Sequence, residues 1–173
     1  DKIILITGSA GSIGSELSRQ VAKFNPSLLM MLDQDETGIF NIENEIKSRF
    51  PNLKVQALVA DITDEEKISS IFNEFKPKVV FHAAAYKHVP LMEMNQDQAV
   101  KNNVFGTEIL VKAGLQNNAE KLIFISTDKA VNPTSVMGAT KRIGEMICQA
   151  YNSRQSRGSS MESGQKNQTK FIS

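Results

Sequence analysis

Apolar residues along this 173-residue chain gather into short β-rich runs separated by longer stretches of helical periodicity. Lys2 to Thr7 (K-I-I-L-I-T) is almost continuously apolar, the pattern of a strand covered on both faces. Ser12 to Phe24 follows, with Ile13, Leu17, Val21 and Phe24 at helical spacing. The alternation then repeats: a strand over Leu28–Asp33, a helix over Thr37–Phe50, a strand over Leu53–Ala60, and a helix over Asp64–Phe75 with Asp64 as N-cap. A fourth strand is expected at Val79–Ala84, a long helix from about Gln96 to Gln116, a fifth strand at Lys121–Ser126 and a last helix over about Gly138–Tyr151. No internal repeat interrupts the series. Strand and helix in strict alternation predict a doubly wound parallel sheet with helices on both faces.

Asn152 to Thr169 breaks the pattern, being polar and without periodicity, and reads as a flexible loop. At Lys170–Ser173 an apolar pattern resumes, as if a further strand of the same domain began there. Asp1 is not an initiator Met, so the expectation is one α/β domain over residues 1–151, a loop over 152–169, and truncation before a C-terminal substrate-binding part.

Composition narrows the class. Hydrophobic residues are 40% and charged residues 23%, which suits a folded globular chain. Twenty Lys and Arg face nineteen Asp and Glu, giving a net charge of +1. That balance offers neither the basic footprint of a nucleic-acid binder nor a polybasic membrane patch. The lone Cys148 cannot close an internal disulfide and fits a reducing compartment. No apolar run approaches the ~18 residues of a membrane span and no signal peptide opens the chain, so a soluble cytoplasmic domain is expected.

The first strand-to-helix turn carries the first candidate chemistry. Thr7-Gly8-Ser9-Ala10-Gly11-Ser12-Ile13-Gly14 spaces its glycines as G-x-x-G-x-x-G. A pyrophosphate must approach backbone with no Cβ in the way, and helix N-terminal N–H groups then meet its charge. Gly14 would let the helix pack close on the strand. A glycine turn alone could equally be a plain connection, but Asp33 closes the second strand where a carboxylate is wanted for the adenosine ribose hydroxyls. Together these predict a Rossmann-like dinucleotide site. Asp61, with Ile62 beside it after the third strand, either meets the adenine edge or caps a helix. Asp33 and Asp35, with no Arg between them, would repel a 2′-phosphate, which favours NAD over NADP.

Ligands in open α/β sheets bind beyond the carboxyl ends of the strands. Three segments reach that edge: Ala83-Ala84-Ala85-Tyr86-Lys87-His88-Val89-Pro90, Ser126-Thr127-Asp128-Lys129-Ala130, and Met137-Gly138-Ala139-Thr140-Lys141. The alanines would let a nicotinamide ribose lie close. Lys87 and His88 either meet diphosphate or sugar or belong to a solvated loop. Asn103, a candidate substrate-binding residue, either positions backbone near Lys141 through a water or sits on a polar helix face. His82 reads as a core histidine with satisfied ring nitrogens, and Cys148 as inert packing. Neither His has a second ligand at metal spacing, so no metal is expected.

The glycine loop, A-A-A-Y-K-H-V-P, Asn103-Val104-Phe105-Gly106-Thr107, and above all S-T-D-K-A-V-N-P-T-S-V-M-G-A-T-K-R resemble the extended short-chain dehydrogenase/reductases. Within these the chain is similar to CapD-type polysaccharide-biosynthesis enzymes, nucleotide-sugar 4,6-dehydratases acting on UDP-N-acetylglucosamine. The resemblance runs from Lys2 to Tyr151. It implies a redox-neutral reaction in which NAD borrows a hydride from sugar carbon 4 and returns it to carbon 6 after water is lost. It also implies Asp128 as acid for the departing hydroxyl, Lys129 as base at carbon 5, Thr127 at the carbon 4 oxygen, and Lys141 on the nicotinamide ribose. Those roles ask for an Asp128 pKa raised from ~3.9 and a Lys129 pKa lowered from ~10.4.

Most of the superfamily carries Tyr-x-x-x-Lys, and here the Tyr position is Met137, whose thioether exchanges no proton. The large membrane-associated branch shares that departure, which disfavours a 4-epimerase and leaves the O4 proton without its usual acceptor. Members of that branch carry membrane helices ahead of this domain, which would set it at the cytoplasmic face. A UDP-sugar substrate and a homo-oligomer are further expectations, the runners-up in function being a 4-epimerase and a non-catalytic NAD-binding module. Activity is expected to need sequence beyond Ser173.

Overall fold

The computed structural model describes residues 2–158 and 169–172. Strands β1 (Ile3–Thr7), β2 (Leu28–Asp33), β3 (Val55–Val59), β4 (Val79–His82), β5 (Lys121–Phe124) and β6 (Lys170–Ile172) form one sheet in the order β3-β2-β1-β4-β5-β6. Every pairing is parallel. The connections are α1 (Ser12–Ala22), α2 (Glu36–Arg49), α3 (Glu65–Phe75), a short pair α4 (Val89–Met94) and α5 (Gln96–Val100), then α6 (Thr107–Gln116) and α7 (Val136–Gly158).

Alternation within the strands sorts the core into two layers. Leu5, Met30, Leu32, Val80 and Leu122 face α3, α6 and α7, where Phe72, Leu110 and Cys148 meet them. Ile6, Leu29 and Met31 face α1 and α2 and pack on Val21, Ile39, Ile42 and Ile46. Fully burying each such aliphatic side chain contributes ~1.5–3 kcal/mol. Both faces of β1 and β2 are covered, which is why their sequences lack polar alternation.

Local caps fix the helix starts. Asp35 accepts from the Gly38 N–H at 3.1 Å and Asp64 from the Lys67 N–H at 2.9 Å. At the other end of α3, Lys76 takes the left-handed conformation (φ 49°) and returns its N–H to the Phe72 carbonyl.

Two departures from the expected elements matter for the site. The long helix expected from Gln96 to Gln116 is broken by a π-helical turn over Lys101–Gly106. The wider turn puts Asn102 and Asn103 side by side on the inside, both buried. The last helix begins at Val136 and continues through the start of the expected loop to Gly158; residues 159–168 of that loop lie outside the described residues. β6 pairs with β5, matching Lys121 with Lys170.

Strand order runs away from β1 in both directions, toward β3 on one side and β6 on the other. The carboxyl ends of β1 and β4 therefore part at a switch point, and a crevice opens there.

Candidate functional site

The glycine turn is stitched to β2. Gly8 and Ser9 N–H groups donate to the Leu32 carbonyl at 2.8 and 3.2 Å, and the Ser9 hydroxyl donates to the Ile6 carbonyl at 2.6 Å while accepting from Leu32 N–H at 3.1 Å. Gly8 has φ +74°, and a Cβ on it would lie 2.5 Å from the Ala84 nitrogen. Gly14 packs so tightly that a Cβ there would sit 2.0 Å from the Gly8 carbonyl oxygen. No side chain caps α1 and no acidic residue occupies its first turn, so its leading N–H groups stay open to an anion.

Gly8, Gly11, Asp33, Asp61 and Ile62 line a cleft of about 240 Å³ at this end, with Ala83, Ala84 and Ala85 as its far wall. The Asp33 carboxylate accepts from Ala10 N–H at 3.0 Å and from Asp35 N–H at 3.1 Å, which fixes its orientation and leaves lone pairs over. Asp61 accepts from Thr63 N–H at 2.8 Å in an Asx turn, while Asp64 is the cap of α3; the capping alternative for Asp61 falls away. An open helix start, a glycine cradle and an oriented carboxylate fit the diphosphate and ribose of a dinucleotide. Ser12 and Gly14 support the turn without lining the cleft.

A second cleft of about 290 Å³ continues from the first, sharing Ala83, Ala85 and Tyr86 with it. Ile13, Lys87, Ser126, Thr127, Lys129, Met137 and Lys141 also line it. The Thr127–Lys129 turn and the glycine turn thus stand on one rim of the sheet. Gly138 makes that possible at the start of α7, because a Cβ there would lie 2.3 Å from the Lys129 carbonyl oxygen. Glu93 of α4 accepts the Val136 N–H at 2.7 Å and anchors the same helix start.

Asp128 corrects an expectation. Its side chain is 84% exposed and is not part of the cleft wall. The Thr127 hydroxyl donates to it at 2.8 Å and the Lys129 ammonium at 3.2 Å. These two donors hold the carboxyl below the usual carboxylate range, the opposite of the rise a general acid needs.

Lys141 is buried. Its ammonium donates to the Ile125 carbonyl at 2.5 Å and lies 4.2 Å over the Phe124 ring. Burial pushes its pKa down to about 8, with Glu145 pulling the other way. Met137, one turn earlier, is 4% exposed among Met92 and Ala99.

His82 is fully buried and both ring nitrogens are engaged, Nδ1 with the Thr7 hydroxyl at 2.8 Å and Nε2 with the Thr107 hydroxyl at 2.9 Å. Thr107 gives its own proton to the Asn103 carbonyl, so Nε2 carries the ring proton and Nδ1 accepts from Thr7. Burial, reinforced by Lys141, pushes the imidazole down to about 3.

Two expected substrate contacts are not brought to the cleft. Asn103 is 1% exposed and spends its amide on protein: Oδ1 accepts the Tyr86 N–H at 2.8 Å, and Nδ2 donates to the Tyr86 carbonyl and the Thr140 hydroxyl, each at 3.0 Å. It clamps the cleft wall and touches no substrate surface. His88 is exposed at the N-cap of α4, makes no capping bond and lines neither cleft. Lys87 does reach the cleft, its ammonium 3.3 Å from the Ser12 hydroxyl across the glycine turn.

Tyr86, at the junction of the two clefts, received no role from the sequence; the only signal is its place after the alanine run at a strand's carboxyl end. Among the described residues no three His, Cys, Asp or Glu side chains gather as a metal site, and no helix is long and apolar enough to cross a membrane.

A parallel sheet of this order with a glycine turn at its switch-point crevice defines a Rossmann-like domain, and its sequence relates it to the extended short-chain dehydrogenase/reductases. The chain belongs to the polysaccharide biosynthesis protein family, whose model matches residues 4–171. It is 46% identical over 160 residues to the capsular polysaccharide biosynthesis protein CapD of Staphylococcus aureus, covering 92% of this chain and 27% of that protein. It is 34% identical over 152 residues to the inverting UDP-N-acetylglucosamine 4,6-dehydratase of Campylobacter jejuni (87% of this chain, 44% of that protein). A UDP-glucose 4-epimerase of Rickettsia prowazekii is 32% identical over 151 residues (85% and 42%). Among solved structures, Pen from Bacillus thuringiensis superposes with a TM-score of 0.81 at 29% identity, over 99% of this chain and 48% of that one. WbmG of Bordetella bronchiseptica in complex with NAD and UDP gives 0.68 at 25% identity, over 83% and 48%. The chain thus spans between a quarter and a half of the length of these proteins.

Proposed function

We propose that this chain is the NAD-binding domain of a nucleotide-sugar 4,6-dehydratase that takes UDP-N-acetylglucosamine and serves surface-polysaccharide or glycan synthesis. The observation that carries the proposal is the continuity of the two clefts through Ala83, Ala85 and Tyr86, which sets Thr127, Lys129 and Lys141 beside the dinucleotide crevice. The Campylobacter relative, named for this reaction, and the WbmG complex with NAD and UDP support it.

NAD, when bound, supplies a reversible two-electron oxidant for sugar carbon 4. Gly8, Gly11 and the open start of α1 hold its diphosphate, Asp33 its ribose, and Lys141 the ribose at the chemical end. A sugar seated on the turn takes the Thr127 hydroxyl as donor to its carbon 4 oxygen. That removes the first of the two bonds holding Asp128 low, and cover by the sugar raises the carboxyl further toward the acid that must protonate the carbon 6 hydroxyl. Lys129, released from its pair and having passed its ammonium proton to solvent, takes the proton from carbon 5 as the neutral amine.

A 4-epimerase is the second reading, favoured by the Rickettsia relative. Exchange at carbon 4 needs no separate acid–base pair for carbons 5 and 6, the role this proposal gives Asp128 and Lys129. Incubating the full-length protein with UDP-N-acetylglucosamine tests both. The expected product is lighter by one water; an unchanged mass with inversion at carbon 4 would replace the proposal with the second reading. Accumulating reduced cofactor would point instead to a simple dehydrogenase.

A further inference from the structure

Oxidising a sugar carbinol requires a group that takes the hydroxyl proton, and Met137 offers only a thioether. Of the other side chains lining the chemical cleft, several already have partners. Ser126 donates to Glu145 at 2.6 Å, Thr127 donates to Asp128, Lys129 is paired with Asp128, Lys141 is bound to the Ile125 carbonyl, and Lys87 leans on Ser12. Tyr86 is the remaining proton-exchanging side chain in that wall, and none of the hydrogen bonds among the described residues uses its hydroxyl.

Its position is determined by two independent sets of contacts. The side chain packs against the cluster formed by Met92, Ala99 and Met137, which also holds the thioether. The Tyr86 peptide is gripped at both its N–H and its carbonyl by Asn103, whose amide also holds Thr140, three residues beyond Met137. Tyr86 forms part of the wall of both clefts, where a sugar and a dinucleotide would meet. The other tyrosine of the chain, Tyr151, packs on the far core layer.

We infer that Tyr86 is the catalytic residue that accepts the proton from the carbon 4 hydroxyl, with Asn103 as its positioning residue. In the step, the O–H bond of the sugar breaks and an O–H bond to the phenolate oxygen forms. The carbinol carbon, losing its hydride to a nicotinamide dinucleotide, is oxidised to the ketone, and the dinucleotide is reduced. Tyr86 then releases its proton to solvent through the open cleft. The inference rests on the hydride-transfer reading of the site but not on the choice between dehydratase and epimerase, since both begin with this oxidation.

The test is Tyr86→Phe in the full-length protein, with Met137→Tyr added in a second variant. Tyr86→Phe is expected to lower kcat by about 10²–10³-fold, with KM for UDP-N-acetylglucosamine within about threefold and calorimetric NAD affinity within about twofold. Met137→Tyr in the Tyr86→Phe background is expected to restore at least about tenfold, because it returns a phenol to the same pocket from the neighbouring side chain. A kcat of Tyr86→Phe within about fivefold of the parent would overturn the inference while leaving the dehydratase proposal standing. A loss of NAD affinity matching the loss of rate would also overturn it, by showing that the ring is only a wall. A parent protein that oxidises no UDP-sugar would remove both proposals together.

Discussion

The two ends of the crevice are built from different parts of the chain. At the glycine end, Gly8 and Ser9 are tied to β2 by backbone and buried hydroxyl bonds, and a single added Cβ would meet the Ala84 nitrogen at 2.5 Å. At the chemical end, Asp128 is 84% exposed, and its two donors are its sequence neighbours Thr127 and Lys129. The first region is backbone recognition made rigid by packing. The second is a set of side chains that can exchange partners when a substrate arrives. The proposed binding and chemistry would share a rim but depend on separate contacts, so substitutions should separate stability from rate.

The largest effect expected from that contrast is on rate. Lys129→Ala and Asp128→Asn should each lower turnover by about 10²–10⁴-fold, measured as product formation by the full-length protein, while the thermal midpoint moves by less than about 2 °C. A melting shift that tracked the loss of rate would break the comparison, as would full activity, which would take Asp128 and Lys129 out of the chemistry.

Gly8→Ala should behave in the opposite way. A Cβ at positive φ against immovable backbone costs about 3 kcal/mol, read as a lowered denaturant midpoint, and calorimetry should find NAD affinity reduced at least about tenfold. Retained stability with retained NAD binding would show that the turn is not the rigid cradle described.

Lys141 belongs to both regions and gives the smallest but most diagnostic signal. Between about 8 and its ordinary 10.5, the unfolded chain keeps a proton on Lys141 that the folded chain has lost. Parent stability therefore rises with pH through that window. Lys141→Met removes the titration, so the stability gap between variant and parent should shift in the parent's favour by roughly 2–3 kcal/mol from about pH 7 to about pH 10.5. A gap that stays flat would mean that the ammonium is better solvated than its burial against Phe124 implies.

Much of the fold was legible because its causes are local. A covered parallel strand must be apolar nearly throughout, a helix must repeat every three to four residues, and Asp64 is a cap by its own geometry. The π-helical turn was not legible, since apolar spacing from Gln96 to Gln116 continues smoothly through it. Nor was the start of α7 at Val136, which depends on Glu93, forty-three positions away in sequence. Of the site, the glycine turn and Asp33 could be read from residue type and spacing, whereas Thr127, Asp128 and Lys129 drew their expected roles from the family resemblance. Asn103 was misread as a substrate contact because the sequence cannot say that its amide is already spent on Tyr86 and Thr140.

By itself the sequence determined the strand and helix order, the two-layer core, and the identities of the groups able to bind a diphosphate or move a proton. These follow from each residue's own chemistry and its neighbours along the chain. Only the tertiary structure decided that the two clefts join at Tyr86 and that Lys141 is buried while Asp128 is exposed. Burial and electrostatic fields are set by groups that folding brings together from distant parts of the chain, and no local pattern encodes that meeting.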